Sequence, residues 1–103
     1  MADPMRIRAS IQGDTVQVRV LMSHEMETGQ RKDSAGNVVP AHFIQSVVAT
    51  HNGRQVFRAE WGPAVSKNPY LQFQFKGAKT GDKVMITWSD NKGDSRTDEG
   101  VIR

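Results

Sequence analysis

The sequence predicts an all-β chain, an immunoglobulin-like antiparallel β-sandwich of about seven strands. Three observations carry this. Apolar and polar residues alternate in run after run, as half-buried strands require. Clusters of glycine, asparagine, aspartate and proline separate the runs at regular intervals. No stretch repeats its apolar residues at the spacing of a helix.

The first run is MRIRASI, in which Met5, Ile7, Ala9 and Ile11 share one face and Arg6, Arg8 and Ser10 the other. Gly13-Asp14 turns the chain into TVQVRVLM, where Val16, Val18, Val20 and Met22 point one way and Gln17 and Arg19 face water. From His24 to Pro40 neither strand nor helix periodicity is present. Gly29, Asp33-Ser34, Gly36-Asn37 and Pro40 mark turns there, and Asp33 to Asn37 is expected to be the tip of a presented loop. FIQSVVATHNGRQVFRAEW reads as a β-hairpin, because Asn52-Gly53 suits a type I′ turn with positive φ at both central residues. Val47 and Val48 flank it before, Val56 and Phe57 after, and Trp61-Gly62-Pro63 ends the second arm. AVSKNP connects to YLQFQFKG, with Leu71, Phe73 and Phe75 inward. Gly77 to Asp82 turns the chain into KVMITWSD, which sets Val84, Ile86 and Trp88 on one face. Asp90 to Asp94 is a polar turn, and SRTDEGVIR a polar final strand. The antibody-type cysteine pair is missing, so the likeness is one of architecture; a small barrel is the alternative.

A chain of 103 residues suits one domain, residues 1–103, and a hydrophobic share of 37% suffices for one core. No segment is long and apolar enough to span a bilayer. MADPMRIRAS has no apolar stretch after a basic start, so no secretory signal of the chain's own is expected. The absence of cysteine excludes disulfides, thiol nucleophiles, CxxCH haem attachment and cysteine-ligated metals. The net charge is +3, but the 14 basic residues are scattered among 11 acids. The densest basic cluster, Arg31-Lys32, is followed at once by Asp33, and no basic stripe with interleaved aromatics suggests a nucleic-acid groove.

The histidines His24, His42 and His51 are spaced by 18 and 9 residues, which matches no compact metal motif. Alternation sets His24 on the side of Met22 and Met26, with Glu25 and Glu27 opposite. The imidazoles are therefore expected to bond loop backbone or to lie at the surface, and no metal or cofactor is expected. Ser23-His24, Ser66 and Asp90 are pieces of a hydrolytic triad in no diagnostic order, and no phosphate-cradling glycine motif is present. In WGPAVSKNP, Trp61 is an amphipathic anchor between stiffening prolines; it either closes one end of the core or serves recognition.

Four stretches together carry a family resemblance: RVLMSHEMETGQRKDSAGNVVPAHFIQ, HNGR, WGPAVSKNPYLQFQFKG and GDKVMITWSDNKGDSRTDE. They resemble the SoxZ family, the cysteine-free subunits of the SoxYZ sulfur carrier of bacterial thiosulfate oxidation, from about Arg19 to Glu99. The resemblance implies an immunoglobulin-like sandwich without catalytic residues or cofactor. It implies pairing with SoxY, whose C-terminal cysteine arm holds the sulfur intermediates. It also implies transient docking with the other Sox enzymes: a c-type haem enzyme that attaches thiosulfate, a sulfane dehydrogenase and a dimanganese thiohydrolase. The location implied is the periplasm, reached by co-export with a signal-bearing SoxY. Neither nucleic acid nor membrane is an expected partner, and self-association is among the expected states of the isolated chain. The residues expected to meet partners are His24, Met26, Glu27, Arg31 and Lys32 in the first loop and Trp61, Ser66, Lys67 and Asn68 in the second. Outward apolar residues Leu21, Ile44 and Met85 are expected to add to the interface. The rival readings are a metal-dependent enzyme using the His/Glu-rich loop and a stand-alone homodimeric binding sandwich.

Overall fold

The computed structural model describes residues 3–103, so Met1 and Ala2 of the N-terminal stretch lie outside the described residues. Seven strands form: β1 (Arg6–Gln12), β2 (Thr15–Leu21), β3 (Ile44–His51), β4 (Arg54–Glu60), β5 (Tyr70–Lys76), β6 (Lys83–Asp90) and β7 (Ser95–Val101). They make two antiparallel sheets, one ordered β1-β2-β5 and the other β4-β3-β6-β7, with no helix among the described residues. The strand count, the antiparallel pairing and the absence of helix agree with the sequence reading.

The alternation explains the core. Val16, Val18, Val20 and Met22 are fully buried, as are Val84 and Ile86, with Trp88 almost so. Each such aliphatic side chain contributes about 1.5–3 kcal/mol on burial. Phe57 stacks on Phe73 at 4.6 Å where β4 and β5 approach. Asn52 and Gly53 have φ of 51° and 78°, the turn expected between β3 and β4. A bulge between Ala49 and Thr50 shifts the register of this hairpin.

On the other side the sheets are stitched by the C-terminus. The Ile11 amide donates to the Arg103 carbonyl at 2.9 Å and the Arg103 amide to the Ala9 carbonyl at 3.0 Å. Gly100 lies buried in this seam because a side chain there would run into Ile7.

The segment between β2 and β3 is a long irregular ribbon. Glu27 and His42 exchange backbone bonds at 2.7 and 3.1 Å, and Lys32 bridges Val38. Its tip is the expected one: the Asp33 carboxylate accepts the Ala35 and Asn37 amides at 2.9 and 3.0 Å.

Two expectations are corrected. Ile44 is fully buried, whereas Leu21 and Met85 are exposed as read. An irregularity in the β3–β6 pairing between Ile44 and Ser46 changes the phase of alternation, so Ile44, Val47 and Ala49 all face the core. Nor does every histidine bond loop backbone or lie at the surface: His24 does accept the Met26 loop amide, but His51 is buried and bonds a side chain. A buried imidazole needs partners, and His51 finds one in Asp82, whose carboxylate lies 2.8 Å from its Nε2. The His51 contact, with the Lys79 amide, holds the Asp82 carboxyl below its ordinary range.

Candidate functional site

One end of the sandwich carries a polar hub. The β6 alternation that buries Val84, Ile86 and Trp88 also directs Asp90 inward, where its side chain has no exposed surface. An unpaired carboxylate at that depth would be costly. Asp90 is instead fully bonded. Its Oδ2 lies 3.0 Å from His24 Nε2 and 2.9 Å from His42 Nε2, and its Oδ1 accepts the Lys92 and Asp94 amides at 3.0 and 2.9 Å. Burial pushes the Asp90 carboxyl up, but these hydrogen bonds outweigh it and hold the group at about 2. Asp90 is therefore a carboxylate at neutral pH.

The chain around His24 fixes its ring. The Met26 amide donates to His24 Nδ1 at 3.1 Å, so Nδ1 is the acceptor and Nε2 carries the proton given to Asp90. This short turn holds Met26 at a φ of 50°, a strained value for a residue with a side chain. Asn68, also at positive φ, clasps the His24 peptide: its side chain accepts the His24 amide at 3.1 Å and its amide donates to the His24 carbonyl at 3.0 Å. The His24 ring meets His42 at 4.5 Å and Trp88 at 5.1 Å, both edge to face. The buried Trp88 indole N–H has no hydrogen-bond partner among the described residues.

Above the hub is a polar hollow of about 370 Å³, whose lining includes Ser23, Glu25, His42, Lys67 and Asp94. The expected partner residues divide accordingly. His24, Met26 and Asn68 build the hub, and Lys67 borders the hollow 3.6 Å from Glu25. His24 and Met26 are buried, and both help to shape the loop. Glu27 and Arg31 pair two-pronged on the ribbon, at 2.7 to 3.2 Å; this pairing lowers the Glu27 carboxyl and raises the Arg31 guanidinium from their ordinary values. Lys32 is exposed near the tip, Ser66 is exposed, and Trp61 is half-buried beside β3, its amide bonded to the Gln45 carbonyl. Sequence reasoning missed Asp90 as the centre, with His42 and Trp88 beside it.

Chemically, the hub is a lock more than a reactive centre. His24 has no free nitrogen to act as a base, and no serine hydroxyl bonds to either imidazole among the described residues. His24, His42 and Asp90 do offer three potential ligand atoms within 4.8 Å of one another. An ion there would have to displace the proton on His24 Nε2, and the ring cannot move that proton to Nδ1 while Nδ1 faces the Met26 amide. Dialysis against a chelator is therefore expected to leave the melting temperature unchanged, and equimolar zinc is expected to shift it by less than about 1 °C. A chelator-sensitive fold would overturn the lock.

The fold and the hub define a cysteine-free antiparallel sandwich whose long loops are held rigid by buried hydrogen bonds. Residues 5–101 match the family described as Sulphur oxidation protein SoxZ. The chain belongs to this SoxZ family, which ties it to the Sox system of sulfur oxidation. Among solved structures it is similar to a hypothetical protein from Pyrococcus horikoshii, at 20% identity and a TM-score of 0.64, over 99% of this chain and 89% of that one. It is also similar to the superoxide reductase (neelaredoxin) of Ignicoccus hospitalis, at 17% identity and a TM-score of 0.58, over 99% and 82%. A third is the superoxide reductase of Archaeoglobus fulgidus, at 19% identity and a TM-score of 0.57, over 95% and 84%. At such identities the likeness is one of fold alone. No curated protein matches the chain.

Proposed function

We propose that this chain is the non-catalytic subunit of a SoxYZ-type sulfur carrier, pairing with a SoxY subunit whose C-terminal cysteine arm holds the sulfur intermediates. The observation that carries the reading is a SoxZ match over residues 5–101 in a chain that has no cysteine. Without a thiol the chain cannot hold sulfur covalently through cysteine; a family member with a role in sulfur oxidation then acts through a partner that can. The hub supports this, because His24 and His42 both bond Asp90, and His24 also a loop amide, and so tie the loops together. A rigid body beside a flexible arm gives each enzyme of the route a second feature to recognise. We place the pair in the periplasm, exported together after folding on a signal borne by SoxY.

Co-expression with the SoxY subunit of the same genome tests this. The expected result is a one-to-one complex whose partner gains mass from sulfur adducts on its cysteine, while the present chain keeps its sequence mass. A chain that oxidises thiosulfate unaided, or that never forms the complex, would end the proposal. Fractionation tests the location: the chain should reach the periplasm only when the partner's signal is intact.

A further inference from the structure

The outer face of the β1-β2-β5 sheet has an uneven charge. None of these three strands contains an aspartate or glutamate, whereas β4, β6 and β7 of the other sheet all do. Arg6, Arg8 and Arg19 are exposed on it, and no carboxylate lies within ion-pair distance of them among the described residues. Arg8 stands directly opposite Arg19 in the β1–β2 register. Like charges so placed are destabilising in the isolated chain. One row along, Arg6, Leu21 and Tyr70 are aligned across the strands, with Leu21 42% and Tyr70 57% exposed. Arginine and tyrosine together on one exposed face are residue types that binding hot spots favour. A groove of about 740 Å³ runs beside it, with Arg8, Arg19 and Arg103 among its lining. Glu99 also lines this groove, but it faces Lys83 at 3.3 Å.

We infer that this face is where the partner subunit docks, and that the partner meets Arg8 and Arg19 with carboxylates while Leu21 and Tyr70 supply the apolar centre. The inference rests on the pairing proposed above. It follows from charge complementarity: the guanidiniums lack counter-ions within the chain, and a carboxylate surface would turn the repulsion between Arg8 and Arg19 into shared attraction.

The test uses the purified SoxY subunit and this full chain, with affinity measured by titration. Between about 50 mM and about 500 mM salt, the wild-type dissociation constant is expected to rise roughly tenfold. R8E/R19E should weaken binding by roughly a hundredfold, and R58E/K92E, which changes net charge equally on β4 and the β6–β7 turn, away from this groove, by less than about threefold. R8Q/R19Q guards against misfolding. It removes the like-charge opposition, so it should melt no lower than wild type and still bind roughly tenfold more weakly. Equal losses in both charge-reversed variants, or wild-type affinity in R8Q/R19Q, would overturn this face as the dock while leaving the pairing intact. If the wild-type chain fails to bind SoxY at all, the pairing itself falls and this face with it.

Discussion

Replacing Asp90 with alanine is expected to lower the unfolding free energy by about 3–5 kcal/mol, the cost of stripping a buried charged acceptor from its partners. Four donors lose their acceptor at once: two imidazole N–H groups and the amides of Lys92 and Asp94. Asparagine separates charge from shape. Its oxygen can still receive the two amides, but its NH₂ then faces the imidazoles. His42 can move its proton to the other nitrogen and accept, whereas His24 cannot, because its Nδ1 already receives the Met26 amide. One donor clash remains, so Asp90→Asn should cost about 1–3 kcal/mol. The pH dependence follows in sign. The carboxyl sits at about 2 in the folded chain against an ordinary 3.8. Between those values the unfolded chain binds a proton that the folded chain does not. The stabilisation is thus complete above the ordinary value and is lost as pH falls toward 2, by about 2 kcal/mol in all. Urea unfolding at a series of pH values measures both effects, and Asp90→Asn should flatten the acid limb. An alanine variant that unfolds with the wild type would remove the hub from any role in holding the loops.

Much of this architecture can be read from periodicity. The alternation of β1, β2, β5 and β6, the Asn52-Gly53 turn and the Asp33–Asn37 tip all have short-range causes, and all stand where the sequence puts them. That His24 shares a side with Met22 and Met26 was legible for the same reason, though its burial was not. Ile44 was misread because the irregularity at the start of β3 is decided by pairing with β6, which the local pattern does not carry. The hub escaped for a different reason. His24 and Asp90 are 66 residues apart, and only the closure of both sheets brings them together. A signal was nonetheless present. One further step along Val84, Ile86 and Trp88 puts Asp90 on the core face, and a carboxylate there demands donors from elsewhere in the chain. His42 and the inward His24 were the available ones.

Gly100 tests the opposite side of the sandwich. A Cβ at this position would lie 2.5 Å from Ile7 Cγ2 and 3.1 Å from Ile7 Cβ, both closer than ordinary contact. The Ile7 side chain cannot swing away cheaply, because β-branching restricts its χ1. Strand β1 cannot retreat cheaply either, because its Ala9 carbonyl and Ile11 amide are bonded to Arg103. Gly100→Ala is therefore expected to cost about 1–3 kcal/mol, and Gly100→Val more, since overpacking must be relieved by moving a strand. Ile7→Ala should lose some stability alone yet offset most of the Gly100→Ala penalty when the two are combined. Such non-additivity is the mark of a direct clash. Additive losses in a denaturant cycle would instead mean that glycine serves the backbone of β7 and not the fit to Ile7. The outcome also bears on docking. The seam joins the arginine-bearing face of β1 to β7, so a shifted β1 should weaken SoxY binding in Gly100→Ala, and the second substitution should restore it.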